Sequence, residues 1–209
     1  MSDNLLAYVK GLFCFDAVVQ RTESERWDNP SPCERWTARR VVDHNLMICN
    51  MIAEMTRGNP AAVPEGSVER PFPAPSRDGL VLAPHMFQRF VNSDDDPIAV
   101  WNRGRDDVLE ALEQPGALHT ETRSPWGHRT VDTFLGFAFF DPLIHAWDLA
   151  MAVGQTPVLN AALAQRALDH LAEFGEQYEL RQPGVLTDAL VSTAQEPVAR
   201  LIAFSGRQV

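Results

Sequence analysis

The chain has 209 residues, 45% of them apolar, and carries 18 Lys and Arg against 28 Asp and Glu for a formal charge of −10. That length can bury one sizeable core, so a single domain over residues 1–209 is expected. An acidic chain without a block of Lys or Arg lacks the clustered cations that grip phosphate backbones, and no stretch reaches the ~18 uninterrupted apolar residues of a membrane span; neither nucleic acid nor membrane is an expected partner.

From Asp3 to about Arg26, the residues Leu5, Val9, Leu12, Val18 and Val19 recur near helical spacing, with Phe13 and Phe15 widening the stripe, which predicts a first long helix. Asn29-Pro30-Ser31-Pro32 must interrupt it, and Thr37 stands where an N-cap belongs. A second helix follows with Val41, Ile48, Ile52 and Met55 inward, stopped by Gly58-Asn59-Pro60. Residues 59–78 hold five prolines and little periodicity, the pattern of an ordered surface connection. Pro84 leaves the stretch 79–92 ambiguous. Asp96-Pro97 starts a third helix with Ile98, Trp101, Val108 and Leu112 inward. Leu118 to Arg129 alternates weakly and turns at Pro125-Trp126-Gly127, predicting a small hairpin. Val131 to Val153 is the most apolar segment and is expected to be one central helix closed by Gly154. Thr156-Pro157 starts another helix running to about Phe174 through Val158, Leu163, Ala167 and Leu171, and Pro197 starts a short last one ending near Phe204. The sum is an all-α antiparallel bundle.

Asp141, His145 and Asp148 stand at i, i+4 and i+7 in the apolar 131–153 segment, whose other ionisable residue is Asp132. At about 100° per residue the three fall within roughly 60° of arc, one polar stripe on a face that should be buried. Buried charges must be paired or bound to a metal. His44, three residues after Val41 and four before Ile48, should face inward from the second helix. His44, Asp141 and His145 together offer the nitrogen and carboxylate donors of an open catalytic metal site, suiting zinc and also nickel, iron or manganese. A buried Asp and His pair can equally neutralise each other without an ion. Asp148 reads as an acceptor behind a ligand histidine. His128, after Gly127, is an alternative fourth ligand; His85, His119 and His170 read as loop or surface residues.

Cys14, Cys33 and Cys49 match neither zinc-ribbon nor disulfide spacing, so a reducing cytoplasm is the expected location. Cys33, in the Pro-rich entry to the second helix, reads as a packing residue. Trp36 is placed to form a hydrophobic staple with Val41, and Trp147 to wall the pocket or fill core. Arg39, Arg40, Arg103 and Arg105 are equivalent candidates for a substrate carboxylate.

The stretches Trp27-Asp28-Asn29-Pro30-Ser31-Pro32-Cys33-Glu34-Arg35-Trp36-Thr37, Val41-Val42-Asp43-His44 and Ile144-His145-Ala146-Trp147-Asp148-Leu149-Ala150, with the closing residues Ala199 to Arg207, resemble the metal-binding domain of mycothiol-dependent maleylpyruvate isomerase and its actinobacterial single-domain relatives. The resemblance implies a DinB-like four-helix bundle holding a divalent metal on His44, Asp141 and His145, with mycothiol or another small thiol at the open position and a small electrophile as substrate for transfer or isomerisation. Related bundles often pair through helix faces, so the resemblance leaves the oligomeric state open with a homodimer among the options. Asp141 stands where the isomerase has the longer Glu, and Pro142 should kink the helix at the site. The isomerase carries a further C-terminal domain, which this chain is expected to lack, so its particular reaction is not carried over. A non-enzymatic binding module and a thiol-independent metal hydrolase are the alternative expectations.

Overall fold

The computed structural model describes residues 1–64, 80–82, 89–124, 127–174, 181, 186 and 188–209. Their elements in chain order are α1 (Asp3–Val19), α2 (Ala38–Thr56), β1 (Ala62–Pro64), β2 (Leu80–Leu82), α3 (Pro97–Glu113), β3 (Glu121–Ser124), β4 (Gly127–Thr130), α4 (Val131–Ala138), α5 (Phe140–Val153), α6 (Ala161–Phe174) and α7 (Pro197–Phe204). This is the expected all-α, DinB-like bundle with two small antiparallel hairpins. The hairpin foreseen near 118–129 is β3 and β4, paired from Glu121 opposite Thr130 to Ser124 opposite Gly127. The pairing of β1 with β2, Val63 opposite Val81, left no periodicity to read in the Pro-rich stretch. His85 lies outside the described residues.

The helices α1, α2 and α3 each start where a side chain satisfies a free amide. Ser2 accepts from the Leu5 amide, Thr37 from Arg40 and Asp96 from Ile98, the last with Pro97 in the first turn. The α1 helix packs on α4 and α5, and α2 packs on α3 and α5. Tyr8, Leu12, Phe15, Ile52, Met55, Trp101, Phe134, Leu143 and Leu149 fill the space between, all essentially inaccessible.

Three boundaries differ from the sequence expectation. The first helix stops at Val19 rather than near Arg26, because the Thr22 hydroxyl donates to the Val18 carbonyl at 2.9 Å and the chain tightens into a 3-10 turn at Ser24–Arg26. The 131–153 segment is two helices, broken at Phe139. Proline at 142 has no N–H for the carbonyl of Ala138, and its ring crowds that same carbonyl, so the break falls one turn before the proline. The helix expected from Thr156 begins at Ala161, where Asn160 accepts from the Leu163 amide at 2.9 Å, and Val158 is left exposed.

The break at Phe139 lets α1 approach unusually closely. A β-carbon at Gly11 would lie 2.7 Å from the Phe139 carbonyl oxygen and 3.3 Å from the Pro142 ring. Alanine ordinarily gains about 1 kcal/mol over glycine inside a helix. Here the obstruction is backbone, so overpacking costing about 1–3 kcal/mol wins. Gly11→Ala is expected to lower Tm by several degrees in a calorimetric melt, where an unhindered site would show a rise.

Candidate metal centre

Two backbone features bring the site together. The α2 helix carries His44 about two turns after its Thr37 cap, and α5 carries Asp141 in its first turn just past the break at Phe139. His44 Nε2 lies 3.3 Å from Asp141 Oδ2 and 3.5 Å from Oδ1, and His145 Nε2 lies 3.7 Å from Asp141 Oδ1. The shorter side chain of Asp141 therefore still reaches both imidazoles. These separations are long for hydrogen bonds but close to the spacing, about 3.3 Å, of neighbouring ligands held 2.0–2.1 Å from a tetrahedral ion. His44, Asp141 and His145 thus form one group of three potential donors within 4.8 Å of one another.

Asp141 Oδ2 is buried and has no hydrogen-bond partner. Such an atom costs free energy unless something cationic or a donor meets it. A divalent ion is a natural partner for a carboxylate oxygen set between two ring nitrogens, so the donor set fits one. Burial alone would raise the Asp141 carboxyl, yet the facing imidazoles, His44 ahead of His145, outweigh it and hold it below the ordinary range.

Behind His145 the arrangement is tighter. His145 Nδ1 donates to Asp148 Oδ2 at 2.8 Å, which turns Nε2 toward Asp141. Burial lowers the His145 pKa, but Asp141 and Asp148 on its two edges together push it up to about 10. Asp148 is completely inaccessible. Arg207 donates to it twice, Nε to Oδ1 at 3.0 Å and Nη2 to Oδ2 at 2.8 Å, and the Cys33 thiol donates to Oδ2 at 3.2 Å. Burial would raise the Asp148 carboxyl, but the bonds from His145 and Arg207 keep it far below the usual carboxylate range.

The remaining candidates separate clearly. The Trp36 ring is stacked over His145 at 5.8 Å between centroids and tilted over His44 at 5.0 Å, while the Arg40 guanidinium lies 5.7 Å from the Trp36 ring centroid. Trp147 instead lines a groove with Pro32, Met151 and residues 206–209, so the aromatic wall of the donors is Trp36. His128 is exposed on β4 and accepts from Arg123 Nε at 3.3 Å, apart from the donor groups found among the described residues. His119 is exposed, whereas His170 is half-buried on α6 among the rings of Phe137, Phe139 and Phe140 rather than a surface residue. Of the arginines, Arg39 is tied to the Asn92 and Asp95 carbonyls, Arg105 to Asp16 and Arg40 to the buried Asp43, while Arg40 also lies against Trp36 beside the imidazoles.

Sequence reasoning missed three contributors: Cys33, Trp36 and Arg207. The loop that carries the first two closes on itself, with Ser31 N donating to the Trp36 carbonyl at 2.9 Å and Trp36 N to Cys33 at 3.0 Å. Arg35 takes up the turn in the left-handed region at φ 64°. Asn29 Nδ2 then fastens the loop to the Ala152 carbonyl of α5 at 3.0 Å. The signal available was the unmatched negative charge of Asp148, which required a cation from somewhere in the chain.

The family described as mycothiol maleylpyruvate isomerase N-terminal domain matches residues 14–150, which include His44, Asp141, His145 and Asp148 but not Arg207. Two proteins from different strains of Mycobacterium tuberculosis, both described as uncharacterized, are each 29% identical to this chain over 210 residues, covering 99% of both sequences. No solved structure matches.

Neutralising Asp148 strands the half-buried Arg207 charge, a loss of up to about 3–5 kcal/mol. Asp148→Asn is expected to lower unfolding free energy by that order in a urea titration at neutral pH. Because the folded carboxyl is held below its unfolded value near 3.9, the stabilisation is complete above about pH 5 and fades as pH falls below about 4. The wild type should weaken over that acid range, and the variant should show a flatter dependence.

Proposed function

The chain belongs to the mycothiol maleylpyruvate isomerase N-terminal domain family, and from this we propose that His44, Asp141 and His145 hold one divalent ion, zinc foremost with nickel, iron or manganese as alternatives, in an enzyme that uses a small thiol of the mycothiol type on a small electrophile. The observation that carries the reading is the Asp141 carboxylate set between two imidazoles, with its buried Oδ2 accepting no hydrogen bond. When bound, a divalent ion supplies Lewis acidity that favours a thiolate over a thiol at neutral pH. The reaction class is then transfer of the thiol to an electrophilic carbon, or addition and elimination that isomerises a double bond.

The chain's own residues prepare this chemistry. Asp148 holds the ring of His145 through Nδ1, so that Nε2, once its proton leaves, faces the same carboxylate as Nε2 of His44. Trp36 packs against both rings, restricting their rotation and displacing water from one side of the donors. Arg40, exposed beside Trp36 and paired with Asp43, stands where an anionic substrate group would approach. One domain spanning the chain and a cytoplasmic setting belong to the same proposal. A second reading, a non-enzymatic helical module whose polar stripe is an internal ion cluster, is favoured by the pairing of His145 with both Asp141 and Asp148.

Elemental analysis of the untagged full chain is expected to find close to one divalent ion per chain, lost in His44→Ala and His145→Ala. Adding zinc at ~100-fold over Kd to stripped wild type should stabilise it by about 2.7 kcal/mol, a Tm rise of roughly 5–10 °C, with no rise in either variant. Saturable thiol binding that requires the ion separates the enzyme from the internal-cluster reading. A stripped protein whose Tm ignores zinc, nickel, iron and manganese would reject the metal proposal.

A further inference from the structure

His145 has a second set of potential ligands on its other edge. Cys33 Sγ lies 3.9 Å from His145 Nδ1 and 3.2 Å from Asp148 Oδ2, and these donors are all within 4.8 Å of one another. Sulfur, imidazole nitrogen and carboxylate oxygen form a softer donor set than the one on the Nε2 edge, well suited to zinc or cobalt. Unlike the first group, this one already contains a cation. Arg207 Nη2 sits 2.8 Å from Asp148 Oδ2 and 3.4 Å from Cys33 Sγ, and Nη1 is anchored on the Ser205 carbonyl at 2.7 Å.

We propose that Cys33, His145 Nδ1 and Asp148 form a latent thiolate metal site and that Arg207 is the resident cation that keeps ions off it. A guanidinium keeps its proton at any pH a protein survives, so its charge is permanent. It occupies the oxygen and faces the sulfur that an incoming ion needs, and like charge repels the ion at close range. It also holds Asp148 as the acceptor for the Nδ1 proton, which an ion would have to displace. The charge balance is simple: on removal of Arg207, a divalent ion enters as the Cys33 thiol and His145 Nδ1 each release one proton to solvent. Arg207 therefore decides which edge of His145 an ion meets.

Cobalt(II) is the probe, because a cobalt–thiolate bond gives a sulfur-to-metal charge-transfer absorption in the near ultraviolet that nitrogen and oxygen ligands do not. In wild type, cobalt at saturating concentration is expected to give no such band, and Cys33→Ser is expected to leave the spectrum unchanged. Arg207→Ala and the neutral, hydrogen-bonding Arg207→Gln should both develop the band, and it should vanish in Arg207→Gln combined with Cys33→Ser. Circular dichroism on each variant checks that the helices persist, with Arg207→Gln as the milder change at Asp148. A thiolate band already present in wild type and lost with Cys33 overturns the exclusion role, and its absence from both folded Arg207 variants overturns the latent site. Failure of wild type to bind any ion, with the band still appearing in the Arg207 variants, rejects the His44–Asp141–His145 reading and leaves this one standing.

Discussion

A carboxylate with no access to water, on the most apolar helix of the chain, dictates much of what surrounds it. Asp148 must be met by donors on every side, and the fold supplies His145 from the preceding turn, Cys33 from the loop before α2, and Arg207 from beyond α7. Those contacts join three separate parts of the sequence at one buried point. They also decide how His145 is presented, since the ring nitrogen engaged by Asp148 leaves the other aimed at Asp141 and His44. A buried charge of this kind contributes less to net stability than to fixing one arrangement among several, because its desolvation cost offsets most of what its partners return.

The second constraint is the interruption between α4 and α5. Pro142 removes the hydrogen bond that would have joined them, and the chain turns at Phe139 before α5 begins. Asp141 therefore occupies a first turn, where a carboxylate is favoured by the unpaired amides of the helix start. Gly11 allows α1 to close over the same place, against the Phe139 carbonyl. Packing and chemistry are coupled here: the close contact that completes the core also sets where the carboxylate between the two imidazoles stands.

The polar edge of α5 carries two groups of opposite character. On the Nε2 side of His145 an acceptor is left over, Asp141 Oδ2. On the Nδ1 side an arginine satisfies the acceptors. The difference lies in what each neighbouring segment brings: α2 offers an imidazole to one edge, and the C-terminal residues offer a guanidinium to the other.

Periodicity and caps made most of the bundle legible, because helix starts and inward stripes are local properties: Thr37, Asp96-Pro97 and Pro197 all mark helix starts where expected. The i, i+4, i+7 spacing of Asp141, His145 and Asp148 likewise put three ionisable groups on one face without reference to the rest of the chain. The early end of α1 was less legible, since a single Thr22 hydroxyl competing for a carbonyl decides it. What distance in sequence concealed was the set of partners. Trp36 lies against the imidazoles, and Cys33 and Arg207 lie against Asp148, 115 and 59 residues away along the chain, because a closed loop and a docked tail converge on α5. Local pattern shows that a buried charge needs a partner; only the packed chain chooses which residue that partner is.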